Sequence, residues 1–256
     1  CFEGPEDILR QTMNTQPAIF LHSIVLFQLI SAQNISMVAG HSLGEYSALV
    51  AAGSLSFEDG LKLVRLRGEL MQSAGVKNKG TMAAIVGLVP DMVADICTQA
   101  SVAGIVQCAN FNSPGQIVIS GSVDGVRKAM DLSKARGAKM AKELVVSGAF
   151  HSLLMHSARE GLMTALQQTN IENAKIPVYT NVTARPVQSS VEIRKVLGEQ
   201  LTNAVRWEES ISNMVKDGAE KFIEVGPGKV LQGLVKRIAA NIEVKGIDKF
   251  DDLEKE

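Results

Sequence analysis

The sequence predicts an α/β protein with a mostly parallel sheet at its core and an inserted ferredoxin-like subdomain. Two observations lead to this prediction. In the first and last parts of the chain, short apolar runs typical of buried strands alternate with amphipathic runs typical of helices. Between residues 79 and 148 the order becomes strand, helix, strand, strand, helix, strand, which is the ferredoxin-like βαββαβ unit. We therefore expect a large domain at residues 1–78 and 149–256 and a small domain at residues 79–148.

The helices and strands before the insertion are predicted from the spacing of apolar residues along the sequence. Residues 15–33 predict a helix, with Thr15 as its N-cap and Pro17 in its first turn. The short apolar run "NISMVA", residues 34–39, predicts a buried strand, and "LGEYSALVAAG", which follows it closely, has helical spacing. Another helix is predicted over residues 56–75.

The insertion and the rest of the chain divide in the same way. Inside the insertion, strands are predicted at "MAAIVGL", "IVQCAN", "IVISG" and "MAKELVV", and helices at "DMVADICTQAS" and "VDGVRKAMDLSKARG". After it, helices are predicted near residues 152–169 and 207–217 and from about residue 229, with strands at "PVYTNV" and "KFIEVG". The return of alternating helices and strands indicates that the insertion interrupts one larger α/β unit.

The composition argues against several classes of protein. The 256 residues are 46% hydrophobic, which is enough to bury a sizeable core. A net charge of −1 and an aromatic content of 4% argue against binding of nucleic acid. The longest apolar stretch, "AIFLHSIVLFQLI", has 13 residues, whereas a membrane span needs about 20. We expect a monomeric, cytoplasmic protein that binds neither nucleic acid nor a membrane.

The cysteines give no sign of a disulfide framework or a metal site. Cys1, Cys97 and Cys108 are an odd number, and they lack C-x-x-C spacing. Such a set favours a reducing compartment. We interpret them as free, buried thiols and expect no metal site.

A serine between two glycines lies at the predicted turn from strand to helix. In "GHSLGEYSAL", residues 40–49, Gly40 and Gly44 leave the space that a tight turn around Ser42 needs. In this context, G-x-S-x-G is the pattern of a nucleophile elbow in an α/β-hydrolase-like sheet. The first free N–H groups of the following helix favour negative charge at the same place. Ser42 is the candidate nucleophile, and a plain tight turn is the alternative.

A serine hydroxyl becomes a good nucleophile only when a base takes its proton. Of the four histidines, His151 follows the last strand of the insertion, in a segment of the kind that displays catalytic groups. His41 adjoins Ser42, so its side chain should point away from the hydroxyl. His22 is interpreted as a core residue and His156 as a surface residue, which leaves His151 as the candidate base.

Arg67 lies on the apolar stripe of the predicted helix at residues 56–75. Three apolar side chains neighbour it at helical spacing: Leu63, Leu70 and Met71. An unpaired guanidinium in such a place would be costly, so Arg67 should have an acidic partner, either a protein carboxylate or a bound ligand. Arg65, by contrast, has Glu69 four residues on and belongs to a solvated face.

Five segments together resemble those of malonyl-CoA:acyl-carrier-protein transacylases: "GHSLGEYSAL", "RLRGELMQ", "NSPGQIVISG", "GAFHS" and "EVGPGKVL". Their order and spacing make the resemblance specific, and it extends over nearly the whole chain. It implies an enzyme that moves a malonyl group from CoA to the phosphopantetheine thiol of acyl carrier protein through a malonyl-serine intermediate, in fatty acid or polyketide synthesis. It implies no cofactor beyond the substrates, malonyl-CoA and phosphopantetheinylated carrier protein.

The resemblance also implies roles for the three residues already singled out. Ser42 matches the nucleophile that carries the malonyl ester. His151, in "GAFHS", matches the base. Arg67, in "RLRG", matches the arginine that binds the malonyl carboxylate.

Four further residues receive roles in the same way. Gln200, before "LTNAVRW", matches the residue whose backbone carbonyl orients the histidine. Leu43 matches the residue that supplies a backbone N–H to the oxyanion hole. Asn112 matches an asparagine that lines the site, and His41 is grouped with it as a substrate-binding residue.

One feature of the family is missing from the start of the sequence. The family begins with a strand and a turn of the form G-Q-G-x-Q, whose glutamine provides the second oxyanion-hole N–H, whereas this sequence opens at "CFEGPEDIL". The resemblance therefore leads us to expect that the first strand is absent, which would mean a truncated sequence or an impaired protein. Loss of one oxyanion donor costs about 2.7–4 kcal/mol, and loss of a core strand exposes sheet edges.

Two other functions remain open. A serine hydrolase, such as a thioesterase, shares the elbow but orients its histidine with a carboxylate, in the order Ser…Asp/Glu…His. That function gives Arg67 no role. The second alternative is an impaired homologue that only binds carrier protein. The missing first strand is the one observation that favours it.

The insertion also carries a basic segment. Between Gly121 and Lys142, six basic residues stand against Asp124 and Asp131, which gives the segment a net charge of +4 in a chain of net charge −1. Carrier proteins of the implied pathway are typically acidic, so the segment is either their docking surface or simply a solvated helix face. The basic residues are Arg127, Lys128, Lys134, Arg136, Lys139 and Lys142.

Overall fold

The computed structural model of the protein describes residues 4–30 and 35–255. Within them the α-helices are α1 Glu6–Leu9, α2 Thr12–Leu29, α3 Gly44–Ala51, α4 Phe57–Lys77, α5 Pro90–Ala100, α6 Val123–Ala135, α7 His156–Gln168, α8 Ser190–Gln200, α9 Trp207–Lys216 and α10 Val230–Ile238. The strands are β1 Val38–Ala39, β2 Gly80–Val86, β3 Val106–Ser113, β4 Gln116–Ser122, β5 Met140–Glu143, β6 Val178–Tyr179, β7 Pro186–Val187, β8 Lys221–Val225 and β9 Glu243–Ile247. Cys1 and the predicted junction of helix and strand at residues 31–34 lie outside the described residues.

The parallel pairs lie outside the insertion. β1 is parallel to β6, with Val38 opposite Val178, and β6 is antiparallel to β7. β8 and β9 form a separate parallel pair. The predicted α/β class is confirmed, but in the described residues the large part of the chain holds two small sheets where one sheet was expected.

A cavity of about 760 Å³ separates β1 from β8. Side chains from both sheets and from the helices around them line it, and most are apolar: Ile24, Phe27, Met37, Trp207, Phe222 and Leu234. His41, Leu43 and Asn112 also line this cavity, so it extends to the turn that carries Ser42.

The insertion contains an antiparallel sheet with the strand order β3-β4-β2-β5. The chain order β2-α5-β3-β4-α6-β5 is the βαββαβ order that the sequence predicts. The two helices share a core with the sheet that includes Ile85, Ile96, Ile119 and Val126. The limits of the small domain at residues 79 and 148 remain a prediction.

The insertion is joined to the large part through β3. The Phe111 N–H donates to the Val205 carbonyl at 2.9 Å, and the Val205 N–H donates to the Ala109 carbonyl at 2.9 Å. These bonds fix β3 against the segment between α8 and α9, which is close to the end of α8 that carries Gln200.

Close packing of α2 against α4 positions part of the site. A Cβ atom at Gly68 would lie 2.8 Å from the Met13 Cα, and one at Gly60 would lie 2.8 Å from the Phe20 ring. Larger side chains would therefore force the two helices apart. Their close approach brings Gln16 of α2 to Arg67 of α4.

Several boundaries differ from the predictions. The first long helix begins at Thr12, so Thr15 lies inside it, where its hydroxyl donates to the Leu9 carbonyl at 2.5 Å instead of capping the helix. Pro17 is consequently beyond the first turn. The strand predicted at "MAKELVV" ends at Glu143, and the one at "PVYTNV" covers only β6.

Four elements were not predicted: α1, α8, β7 and β9. The most important of them is α8, because Gln200 is its last residue. Ile193, Val196 and Leu197 of α8 are buried at helical spacing, and this was the signal that could have located the helix.

No helix in the described part of the chain combines the length and hydropathy needed to cross a bilayer. Cys97 and Cys108 are free thiols, of which Cys97 is buried and Cys108 half-buried. Among the described residues, no group of three or more His, Cys, Asp or Glu side chains could hold a metal ion.

Candidate active site

The turn between β1 and α3 holds Ser42 in a strained conformation. Ser42 has a φ of 51°, in the left-handed region that residues other than glycine rarely adopt. A Cβ at Gly40 would lie 1.9 Å from the Gly44 carbonyl group, so only glycine fits at that position. Among the residues that the structure describes, a Cβ at Gly44 would meet no atom within 4 Å, so the expectation that Gly44 also provides clearance is wrong for this part of the chain.

Asn181 holds this turn from the loop after β6. Its Oδ1 accepts a hydrogen bond from the Ser42 N–H at 2.7 Å, and its Nδ2 donates to the Gly40 carbonyl at 2.7 Å. Asn181 is 1% exposed. One buried amide therefore bridges both sides of the turn and stabilises the left-handed Ser42.

His151 lies against the Ser42 hydroxyl. The distance from His151 Nε2 to Ser42 Oγ is 2.8 Å, and that from His151 Nδ1 to the Gln200 carbonyl oxygen is 2.9 Å. Because a carbonyl oxygen can only accept, Nδ1 carries the proton and Nε2 is free to accept one from Ser42. The structure thus brings Ser42, His151 and the backbone of Gln200 together in a chain of hydrogen bonds.

The surroundings of His151 keep it neutral. Burial and then the nearby Arg67 cation lower the pKa of His151 to about 3, against the opposing effect of the Gln200 carbonyl. At pH 7 the imidazole is therefore available as a base. Its own backbone is held by Gln107 of β3, whose Nε2 donates to the carbonyls of His151 and Thr202, each at 3.2 Å.

Arg67 is buried beside the same hydroxyl. It is 1% exposed, and its Nη2 donates to Ser42 Oγ at 3.0 Å and to Gln200 Oε1 at 2.9 Å. Its Nη1 donates to Gln16 Oε1 at 2.5 Å, and the Tyr46 ring lies 5.7 Å from its guanidinium carbon.

The partners of Arg67 are neutral groups. Among the described residues no carboxylate forms a salt bridge with Arg67, and its buried Nε has no hydrogen-bond partner. Of the two acidic partners that the sequence left open, a protein carboxylate in direct contact is thus not found in this part of the chain. A guanidinium of this kind can accept the carboxylate of a ligand in two parallel hydrogen bonds.

The remaining predicted residues take different positions. Leu43 precedes the first turn of α3, and no backbone hydrogen bond from its N–H is found within the described residues, so this N–H can stabilise a developing oxyanion. His41 points away from Ser42: its Nε2 donates to Asn112 Oδ1 at 2.9 Å, and its ring meets Trp207 edge-on at 5.6 Å. Substrate binding by His41 and Asn112 therefore remains a prediction.

Four residues of the site were missed by the sequence analysis: Gln16, Glu45, Gln107 and Asn181. Each acts through contacts with residues far away in sequence. Glu45 alone had a local signal, because an acidic residue follows the nucleophile within the first turn of α3.

The hydrogen bond to His151 distinguishes two of the functions that the sequence left open. A serine hydrolase with the Ser…Asp/Glu…His order would place a carboxylate on His151 Nδ1. That nitrogen faces a backbone carbonyl here. The serine hydrolase is therefore not favoured.

Known proteins share both the sequence and the fold. Residues 2–247 match the family model described as acyl transferase domain. The chain is 44% identical over 256 residues to a malonyl CoA-acyl carrier protein transacylase of Bacillus subtilis, covering 99% of this chain and 81% of that protein. It is 41% identical over 249 residues to the Escherichia coli K12 protein of the same name, covering 96% of this chain and 81% of that protein.

Solved structures agree with these relatives. An acyl carrier protein S-malonyltransferase from Vibrio cholerae superposes with a TM-score of 0.95 at 42% identity, covering 99% of this chain and 84% of that chain. A type II PKS acyl-carrier protein in complex with its malonyl-transacylase gives a TM-score of 0.95 at 39% identity, covering 99% of this chain and 83% of the matched chain. With matches of this extent in sequence and structure, the chain belongs to the malonyl CoA-acyl carrier protein transacylase family, within the wider family of acyl transferase domains.

Proposed function

We propose that this protein transfers a malonyl group from CoA to the phosphopantetheine thiol of acyl carrier protein through an ester on Ser42. The observation that carries the proposal is the position of Arg67, whose Nη2 lies 3.0 Å from Ser42 Oγ, while His151 Nε2 lies 2.8 Å from the same oxygen. A neutral base and a carboxylate-binding cation thus both contact the nucleophilic oxygen, Ser42 Oγ. The names of the relatives support the same reaction.

In the first half-reaction, Ser42 Oγ attacks the thioester carbonyl carbon while His151 Nε2 takes the hydroxyl proton. The negative charge that develops on the carbonyl oxygen is stabilised by the Leu43 N–H and the N-terminal end of α3. The C–S bond then breaks, and the CoA sulfur leaves with the proton from His151. Malonyl-Ser42 remains, with its carboxylate on Arg67.

The second half-reaction reverses these steps with a different thiol. The phosphopantetheine thiol gives its proton to His151 and attacks the ester carbonyl, and the Ser42 oxygen leaves and recovers that proton. Because the two substrates use the site in turn, kinetics should be ping-pong. The proposed enzyme is a cytoplasmic monomer and uses no metal or cofactor beyond its two substrates.

Replacement of Arg67 with alanine tests the carboxylate-binding role. A hydrogen bond to a charged group contributes about 1.5–3 kcal/mol, so Arg67→Ala should slow malonyl transfer by about 10- to 150-fold. Transfer of an acetyl group, which has no carboxylate, should be kept or increased. The measurement is kcat/KM for malonyl-CoA and acetyl-CoA with the same carrier protein.

Arg65→Ala is the matched control for this experiment. Arg65 lies on the same helix, half-exposed and paired with Glu69 at 2.5 Å, so its loss should change neither rate. Equal losses of malonyl and acetyl transfer in Arg67→Ala would mean that Arg67 is structural and does not recognise the carboxylate.

The structure alters the hypothesis about the basic segment. Arg136 pairs with Asp95 at 2.5 Å and Arg127 with Glu143 at 3.4 Å, so part of the net charge of +4 is neutralised by neighbours in space. Lys128 and Lys134 remain exposed on α6, and Lys134 Nζ lies 4.0 Å from the Asp131 carboxylate on the same helix. We propose that this face of α6 attracts an acidic carrier protein.

Charge reversal on α6 tests the docking surface. The double variant Lys128→Glu, Lys134→Glu should raise the apparent KM for carrier protein several-fold, on the order of 3 to 10, because opposite charges chiefly speed encounter. It should also flatten the dependence on salt. Acylation by malonyl-CoA should change much less. The control is the double variant Lys195→Glu, Lys216→Glu, which makes the same charge change on exposed parts of α8 and α9. An equal rise in the KM for carrier protein in this control would exclude α6 as the docking surface.

A further inference from the structure

One buried carboxylate next to the nucleophile has no part in the proposed reaction. Glu45 lies in the first turn of α3 and is 1% exposed. Its Oε2 accepts hydrogen bonds from Gln200 Nε2 at 2.6 Å and from the Asn181 N–H at 3.3 Å. Burial raises the pKa of Glu45 to about 7, although both hydrogen bonds and Arg67 oppose this rise. Such a group is costly to bury, so a site that retains it calls for a functional reason.

The Gln200 side chain connects Glu45 with Arg67. Gln200 is fully buried, and its Nε2 donates to Glu45 Oε2 at 2.6 Å and to the Ser42 carbonyl at 3.0 Å. Its Oε1 accepts from Arg67 Nη2 at 2.9 Å. A terminal amide has one accepting end and one donating end. If the amide turned over, its NH₂ group would face the guanidinium and its oxygen would face the Glu45 carboxyl.

We propose that Glu45 is a positioning residue for substrate specificity: its Oε2 fixes the orientation of the Gln200 amide, which holds Arg67 where the carboxylate of the acyl group must bind. This inference rests on the proposed function. Arg67 has Gln16 on its Nη1 side and Gln200 on its Nη2 side, so the guanidinium is fixed at both ends. Glu45 thereby acts on carboxylate recognition without touching the substrate.

A second contact of Glu45 has to be separated from this one. Through Asn181, Glu45 also supports the Ser42 turn, and damage there would slow every acyl group alike. The informative quantity is therefore the ratio of kcat/KM for malonyl-CoA to that for acetyl-CoA. A change in the support of Ser42 alters both kcat/KM values equally and cancels in this ratio. A change in the position of Arg67 alters only the value for malonyl-CoA and therefore changes the ratio.

Two substitutions of Glu45 test the proposal. Glu45→Leu removes the shorter of the two acceptors of Gln200 Nε2 and leaves only the neutral Ser42 carbonyl at 3.0 Å. It should therefore lower the malonyl-to-acetyl ratio by about 10-fold. Glu45→Gln keeps an acceptor oxygen without a charge and should retain the ratio within about 3-fold. Glu69→Gln, on the exposed face of α4, is the control and should leave the ratio unchanged.

A further variant keeps the test available if Glu45→Leu does not fold. Glu45→Asp keeps a polar group in the polar site but withdraws the acceptor by one methylene, so it should also lower the ratio. If neither Glu45→Leu nor Glu45→Asp changes the ratio, or if Glu45→Gln lowers it as much as they do, the proposal is wrong.

Arg67→Ala, measured beside these variants, separates the two hypotheses. If Arg67→Ala leaves the ratio unchanged, Arg67 does not recognise the carboxylate, and that part of the proposed function fails. If Arg67→Ala collapses the ratio while the Glu45 variants keep it, only the positioning role of Glu45 is overturned.

Discussion

Ser42→Ala is expected to abolish the malonyl-enzyme and to slow malonyl transfer by on the order of 10⁶-fold, the size of effect seen when a serine nucleophile that works with a histidine base is removed. Ser42 Oγ is the atom on which His151 and Arg67 both converge. Alanine keeps the Cβ atom, so the left-handed turn at this position is no more strained than before. The loss should therefore be chemical and not one of folding.

The measurement is mass spectrometry of the protein after incubation with labelled malonyl-CoA. The label should map to Ser42 in the unaltered protein and be absent from Ser42→Ala. Ser47→Ala, on the same helix, is the matched control and should be acylated normally. A label found on Cys97, Cys108 or another serine, with Ser42 unmodified, would show that the nucleophile has been misassigned.

His151→Ala is expected to give the second largest loss, about 10²- to 10⁴-fold in the rate of Ser42 acylation, as is typical when a general base is removed. Arg67, the proposed partner of the malonyl carboxylate, would remain in place through its hydrogen bond to Ser42 Oγ. Binding of malonyl-CoA should therefore weaken far less than acylation slows. Single-turnover acylation, measured by rapid quench over a range of malonyl-CoA concentrations, separates the two effects. Comparable losses in binding and in acylation would indicate that the site has collapsed.

The pH dependence of acylation gives an independent test of the base. Because the pKa of His151 is lowered to about 3, almost all of it is neutral at pH 5. The rate should therefore be flat with respect to His151 from pH 7 to pH 5, whereas a histidine with the ordinary pKa of about 6.5 would lose about 25-fold over that range. A midpoint near pH 7 that disappears in Glu45→Gln would belong to Glu45.

The sequence by itself determined the local parts of this protein. The elbow at Ser42 was predictable because the strand, the turn and the helix that form it are contiguous and are set by nearest neighbours. The βαββαβ order of the insertion was predictable for the same reason. The apolar stripe around Arg67 correctly indicated that this cation is buried, since three neighbours at helical spacing define one face.

The tertiary structure alone decided how the site is assembled. The Ser42 hydroxyl and the His151 ring are 109 residues apart in sequence, and the Gln200 amide reaches the Ser42 carbonyl across 158 residues. No local pattern encodes which distant helix end or loop will meet a given turn. The neutral partners of Arg67 and the bond between Glu45 and Gln200 were invisible for that reason. Local propensity determines which helices and strands form. Hydrogen bonds between buried groups are determined only when packing brings those groups together and removes them from water.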